Sequence, residues 1–507
     1  MSRPWLRLLD TRLASIDEAD WLGRARALNV RGLHHEAAEL LDELIKGDRS
    51  DCELWFERVL ALGDHFRPEE AQELLVQLES LRDERPQDPG LLRNLAYLRI
   101  LMDELDGAER ALKQSMKLDG GDPKTFELMG LLCLQADEVK DAKAWLLKAL
   151  SLQPKDPRTL RMLGLALIAM NDHHAAEAQL VAALEVDADY YWGWHTLGEM
   201  LLRRGELQDG LRCIDRARSL NVADPASYFI VAELMSEHGH LDIALGHLHA
   251  LLMMAPEVRV LSEAQALIGE FKRDLGDREG AMSYFTLAAE TDKESANPWA
   301  ALGDLAREEG RWDDAARCYR EALAREPETA DVQVQLGYVL LEQEQRREGE
   351  ACFLKALEID PGEYSAYLGL SECYRQEGRH EDQARMVREA MTLAPDDPDV
   401  WNAQGVALEL LDDLGEATDA YERALGLEPS HRKAANNLGF LLEKRMELGE
   451  AGLDERARDA WKRRLLICRD EGQSLRMARE HLLKLGIGED TIVRWLNTEM
   501  VSDTVEP

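Results

Sequence analysis

Four histidines crowd one stretch of the chain, His238, His240, His247 and His249. Imidazoles hold zinc when three or four ligands converge on one point. On a helix His247 and His249, two apart, face different directions, and His238 and His240 flank Gly239. The spacing predicts turn and surface histidines and no metal. The pairs His34-His35 and His173-His174 read as turn residues too. Seven cysteines stand singly, Cys52, Cys133, Cys213, Cys318, Cys352, Cys373 and Cys468, with no Cys-x-x-Cys. An odd, unclustered set predicts reduced thiols in a cytoplasm. The sequence holds no phosphate loop, no Gly-x-Ser-x-Gly and no His-Glu-x-x-His. No catalytic residue and no cofactor is expected.

Charge is the stronger signal. Asp and Glu number 98 against 61 Lys and Arg, a net charge of −37. Nucleic acids and anionic membrane surfaces are polyanions, so neither is expected as a partner. Membrane insertion is not expected either, because no run approaches the roughly 18 apolar residues a spanning helix needs. Near the start, Arg3, Arg7 and Arg12 interrupt the apolar residues, which does not read as a secretory signal. Near the end the balance reverses. Arg456, Arg458, Lys462, Arg463, Arg464, Arg469, Arg476, Arg479 and Lys484 make a basic stretch, followed by apolar Ile492, Val493, Trp495 and Leu496.

The elements that must position these charges are legible from a period of 34 residues. Pro327, Pro361, Pro395 and Pro429 mark it. Trp299, Gly303, Ala315, Tyr319, Ala322 and Pro327 recur as Trp401, Gly405, Ala417, Tyr421, Ala424 and Pro429. A fixed period of this length means stacked copies of one supersecondary unit rather than one globular core. Asp-Pro opens five repeats, at Asp88, Asp122, Asp156, Asp224 and Asp397. Asp accepts a bond from a free helix amide, and the proline gives up an N–H that had no partner. Gly32, Gly205, Gly239, Gly276, Gly310 and Gly378 end first helices, where a positive φ is expected. Gly303 and Ala315 are small so that paired helices can approach. No period-two run competes, so the chain reads as all-α.

This pattern resembles the tetratricopeptide repeat family over nearly the whole chain. Thirteen repeats can be placed, beginning near Glu18, Cys52, Pro89, Pro123, Pro157, Tyr191, Pro225, Ser262, Ala296, Ala330, Tyr364, Pro398 and Arg432. The last carries an insertion near Glu450 to Asp454. The resemblance implies an α-solenoid, a right-handed superhelix of about thirteen stacked helix pairs. It divides the chain into an N-terminal segment (1–17), a repeat solenoid (18–471), C-terminal capping helices (472–500) and a frayed tail (501–507).

In the family the first helix of each repeat lines a concave face. Carried over, the inward positions are acidic in repeats six to eleven: Glu199, Glu233, Glu237, Glu263, Glu270, Asp274, Asp304, Glu308, Asp331, Glu342 and Glu372. Repeats four and five instead offer Lys124, Leu131, Leu134, Arg158, Arg161, Leu165 and Ile168. At the junction Trp192 should face the groove beside Arg161, Ile168, His195 and Phe229, while Trp194 should be buried. Some relatives grip a terminal carboxylate with paired Lys and Asn. Lys433, Asn436 and Asn437, or Arg93 and Asn94, supply part of such a set, and the neighbouring repeats do not complete it.

The resemblance thus implies a non-enzymatic scaffold or adaptor. It would hold a basic or amphipathic segment of a partner protein in the concave groove. A chaperone or accessory subunit for a secretion or assembly complex is the alternative, and a metal-binding or enzyme-associated subunit a more distant one. The basic C-terminal stretch is expected to cap the array, with self-association through the acidic groove as its other reading.

Overall fold

The computed structural model describes residues 21–62, 68–221 and 224–498. The expected N-terminal segment and the frayed tail lie outside them. Among the described residues there are 28 helices and no strand. The first 26 follow one another as successive helix pairs, the repeating unit of an all-α solenoid. Nine first helices start at the residue the period places them at, among them Cys52, Pro89, Tyr191, Ala330 and Arg432.

The chain divides into two compact modules, residues 1–271 and 272–507. The N-terminal module holds α1 (Trp21–Val30), α2 (His34–Gly47), α3 (Cys52–Leu60), α4 (Pro68–Glu84), α5 (Pro89–Leu101), α6 (Leu105–Leu118), α7 (Pro123–Gln135) and α8 (Val139–Leu152). It continues with α9 (Pro157–Ala169), α10 (His173–Val186), α11 (Tyr191–Arg203), α12 (Leu207–Leu220), α13 (Ala226–Glu237), α14 (Leu241–Met253) and most of α15 (Val258–Asp274). The C-terminal module holds α16 (Arg278–Thr291), α17 (Asn297–Glu308), α18 (Trp312–Arg325), α19 (Ala330–Glu342), α20 (Arg346–Ile359), α21 (Tyr364–Gln376), α22 (His380–Leu393), α23 (Pro398–Leu410) and α24 (Leu414–Leu427). Its last elements are α25 (Arg432–Glu447), α26 (Asp454–Asp470), α27 (Arg476–Lys484) and α28 (Glu489–Thr498). The insertion before the second helix of the thirteenth repeat is the loop between α25 and α26.

Local chemistry sets these boundaries. Asp88, Asp122, Asp156 and Asp397 each accept a bond from a first-turn amide, at 3.2, 3.2, 2.7 and 3.1 Å. Asp224 does the same for Ser227 N at 3.3 Å. The turn inside each pair needs one left-handed residue. Gly310 supplies it at φ +70°, and in other repeats Asp137, Asn171 and Asp412 take the same place. Asn and Asp tolerate this region better than other residues with a Cβ.

Packing repeats with the period. A Cβ on Gly405 would sit 2.5 Å from the Tyr421 ring, and one on Gly303 2.6 Å from Tyr319. Glycine at this position therefore lets the paired helix bring an aromatic ring against the backbone. The aromatic at the fourth position pins the turn between repeats. Trp55, Trp194 and Trp401 each donate from Nε1 to the carbonyl six residues earlier, at 3.0, 2.9 and 2.7 Å. Trp299 departs from this rule. Its equivalent acceptor, Lys293 O, is taken by Arg325 Nε at 2.6 Å, and the same guanidinium lies over the Trp299 ring.

Past the last repeat, α27 and α28 cover its apolar end. Trp461 is fully buried there, stacked on His481 with ring centroids 4.2 Å apart. Glu443 accepts from both, at 2.7 Å each. Much of the basic stretch is occupied locally. Arg456 pairs with Glu422 at 2.6 Å, Arg479 with Glu489, and Arg458 donates to Leu485 O at 2.9 Å.

Candidate functional site

First helices carry the candidate residues in both modules. In the N-terminal module, α11, α13 and α15 bring Glu199, Glu233, Glu237 and Glu263 close enough to interact electrostatically. Glu233, Glu237 and Glu263 are exposed. Burial and then the neighbouring carboxylates raise the Glu233 carboxyl above its ordinary value, and Arg203 opposes them. Arg203 is itself tied to Glu199 at 3.0 Å. Glu270 is exposed two turns further along α15.

In the C-terminal module, Glu342 and Glu372 line a groove with a volume of about 1350 Å³. Its wall is mixed rather than uniformly acidic, with Arg307, Arg375 and Lys433 beside them. Arg375 holds Glu372 at 2.7 Å and keeps its carboxyl below the usual range against the effect of burial. Asp304 accepts from Tyr319 Oη at 2.7 Å, while burial pushes its carboxyl up. The nearby Asp331 carboxylate raises it further. Asp274, Glu308 and Asp331 are exposed. Of the partly matched set, Lys433 lies 3.8 Å from Asp399 and Asn437 Nδ2 donates to Asn402 Oδ1 at 3.0 Å, while Asn436 Oδ1 is buried without a hydrogen bond.

The aromatic set shows a feature the sequence reading missed. Trp194 is fully buried. Trp192 is half-buried, and Arg161 lies 5.7 Å over its ring while His195 meets it edge-on at 5.5 Å. Leu165, Ile168 and Phe229 are half-buried on α9 and α13. Burial lowers the His195 imidazole below its ordinary value. Trp192 also meets His34, the first residue of α2. Their rings stack at 6.2 Å and 21°, with Trp192 Nε1 3.4 Å from His34 Nε2. The first repeat therefore touches the sixth. No local pattern near His34 signals a partner 158 residues away.

A second unforeseen feature is the charge network inside the first repeats. Arg93, Lys124 and Arg158 all lie over the buried Phe56 ring, at 5.0, 4.5 and 5.2 Å. Arg93 bridges Glu53 and Asp122, and Lys124 also pairs with Glu53. Arg158 Nε sits 2.7 Å from Glu127 Oε1, yet that oxygen and both Arg158 Nη atoms are buried without a hydrogen bond. Burial pushes the Glu127 carboxyl up to about 7, only partly offset by Arg158.

The histidines are placed individually. His238 Nε2 lies 2.8 Å from Leu202 O and His247 Nδ1 3.2 Å from Arg218 Nη1. Among the described residues no group of three or more His, Cys, Asp or Glu is arranged to hold a metal ion. No helix among them is long and apolar enough to cross a membrane.

These helix pairs, glycine contacts and fourth-position aromatics define a tetratricopeptide-repeat architecture. Tetratricopeptide repeat family models match residues 158–190, 300–345, 334–398 and 398–431. Over these residues the chain carries tetratricopeptide repeats, a repeat type that suggests a protein–protein interaction scaffold. Similar solved structures include the APC/C hetero-tetramer Cut9-Hcn1, at 13% identity and TM-score 0.42 over 92% of this chain and 96% of that one. A tetratricopeptide repeat protein from Parabacteroides merdae matches at 17% identity and TM-score 0.43, over 52% and 99%. MamA matches at 20% identity and TM-score 0.29, over 32% and 95%. No curated protein matches the sequence.

Proposed function

We propose that this chain is a non-enzymatic scaffold that holds basic or amphipathic segments of partner proteins against the first-helix faces of its repeats. The observation that carries this reading is the convergence of Glu199, Glu233, Glu237 and Glu263 from three successive first helices. Like charges held together repel, and a cation from a partner relieves that repulsion while its approach is steered by the field. The mixed groove of the C-terminal module offers further polar contacts, with Gln335, Asn402 and Asn436 on its wall.

Capture from native lysate tests it. The full chain and its Glu233→Lys/Glu263→Lys variant are compared at equal melting temperature. The account expects the main protein retained by the wild type to be depleted from the variant. Equal retention of the same protein by both would contradict it.

A further inference from the structure

The turn between α1 and α2 is bound to the sixth repeat much as a short peptide is bound to a receptor. Arg31 Nη2 reaches Asp189 Oδ2 at 3.2 Å, and both side chains are largely buried. Arg216 holds the other oxygen of the same carboxylate at 3.4 Å. Asn221 Nδ2 donates to Gly32 O at 3.0 Å in a buried contact. A Cβ on Gly32 would lie 3.0 Å from the buried Tyr191 ring, and the residue has φ +74°, so only glycine fits both the backbone and the space. His34 then stacks on Trp192. Val30 packs on the apolar cluster that contains Leu184, Tyr191 and Leu220.

Each contact reads one feature of a four-residue turn: a guanidinium, a left-handed glycine with an accepting carbonyl, any third residue, and an imidazole ring. The receptor elements all belong to α11 and α12 and the turns that flank them. The face has the attributes of a ligand site, a buried carboxylate and a half-buried tryptophan.

We propose that the Asp189–Trp192 face is a docking surface for a cationic turn of the form Arg-Gly-x-His, that Arg31–His34 occupy it in cis, and that a partner presenting such a turn binds by displacing the α1–α2 hairpin. This does not rest on the acidic first-helix faces of the proposed function. Tethering gives the internal turn an effective concentration in the millimolar range. A weak competitor is therefore excluded until the hairpin is released.

The probe is a fluorescent peptide of residues 21–47, titrated by anisotropy against three forms of the full chain. These are the wild type, Arg31→Glu/His34→Ala, and that double variant with Trp192→Ala added. Circular dichroism checks that all three are folded. The released double variant should bind the peptide at least about tenfold tighter than the wild type, whose site is filled. The added Trp192→Ala should abolish the gain, and hydrogen exchange should show residues 187–195 protected by the peptide only in the double variant. Equal binding by wild type and double variant, no binding by the folded double variant, or binding that survives Trp192→Ala would each overturn the proposal. Loss of basic-peptide binding at the Glu233 cluster would leave these outcomes untouched, so the two readings fail separately.

Discussion

The Trp192 indole and the His34 imidazole stack with centroids 6.2 Å apart although 158 residues separate them in sequence. This contact couples the first repeat to the sixth within the N-terminal module. Removing the indole deletes the stacking surface but leaves Trp194 and the helix pairs in place. Trp192→Ala should therefore speed amide exchange in residues 21–47 several-fold, with little change elsewhere, because local opening draws on the least buried elements. Uniform loss of protection across α5 to α12 would show instead that Trp192 is part of the repeat core.

Trp194 gives the opposite expectation. Its ring is fully buried and its N–H is bonded to Ala188 O at 2.9 Å. Trp194→Ala should cost about 3–5 kcal/mol through the cavity left behind, seen as a lowered unfolding midpoint in denaturant. A midpoint unchanged from wild type would contradict the packing described.

Close approach in the C-terminal module is tested by one methyl group. Gly405→Ala places a Cβ 2.5 Å from the Tyr421 ring. Overpacking of this kind costs about 1–3 kcal/mol, and Tyr421 is tied to the same helix by its bond to Glu409 at 3.4 Å. The variant should melt earlier than wild type, and combining it with Tyr421→Leu should recover part of the loss. An unchanged melting temperature for Gly405→Ala would show that the ring moves freely.

Glu127 predicts a pH effect. Its carboxyl is raised from 4.5 to about 7 by burial, so the folded chain holds a proton that the unfolded chain releases. By linkage this group leaves stability unaffected below about pH 4.5, lowers it progressively as pH rises to about 7, and exerts its full destabilising effect above that. Glu127→Gln cannot ionise and should lose this slope. Melting temperatures at pH 5 and pH 8 should fall less between the two for the variant than for the wild type. An equal or greater fall in the variant would show that Arg158 keeps Glu127 ionised throughout.

Much of the architecture was legible because its causes are local and repeat. Asp-Pro at Asp88 caps a helix within three residues, Gly310 takes its φ within one turn, and Gly405 meets Tyr421 sixteen residues on. The acidic positions Glu199, Glu233 and Glu263 were found by counting along the period. What the period could not reveal is contact between repeats far apart. His34 opens α2 with nothing nearby to announce Trp192, and Arg31 finds Asp189 only after four intervening repeats have stacked. Lys124 and Arg158 read as inward residues of a concave face and Arg93 as part of a carboxylate grip, but they turn onto Phe56 and the carboxylates of neighbouring repeats. Side chains this long choose partners by three-dimensional proximity, which the spacing of residues does not encode.

The central claim, that the acidic first-helix face binds cationic partner segments, is tested most directly by titrating a labelled oligolysine peptide into the full chain at low and at high salt. The account predicts saturable binding that weakens as salt rises, since the Debye length shrinks from about 10 Å at 0.1 M to about 3 Å at 1 M. It also predicts marked loss of binding when Glu199, Glu233 and Glu263 are reversed to Lys. Affinity that is the same at both salt concentrations, or that survives the triple reversal, would contradict it.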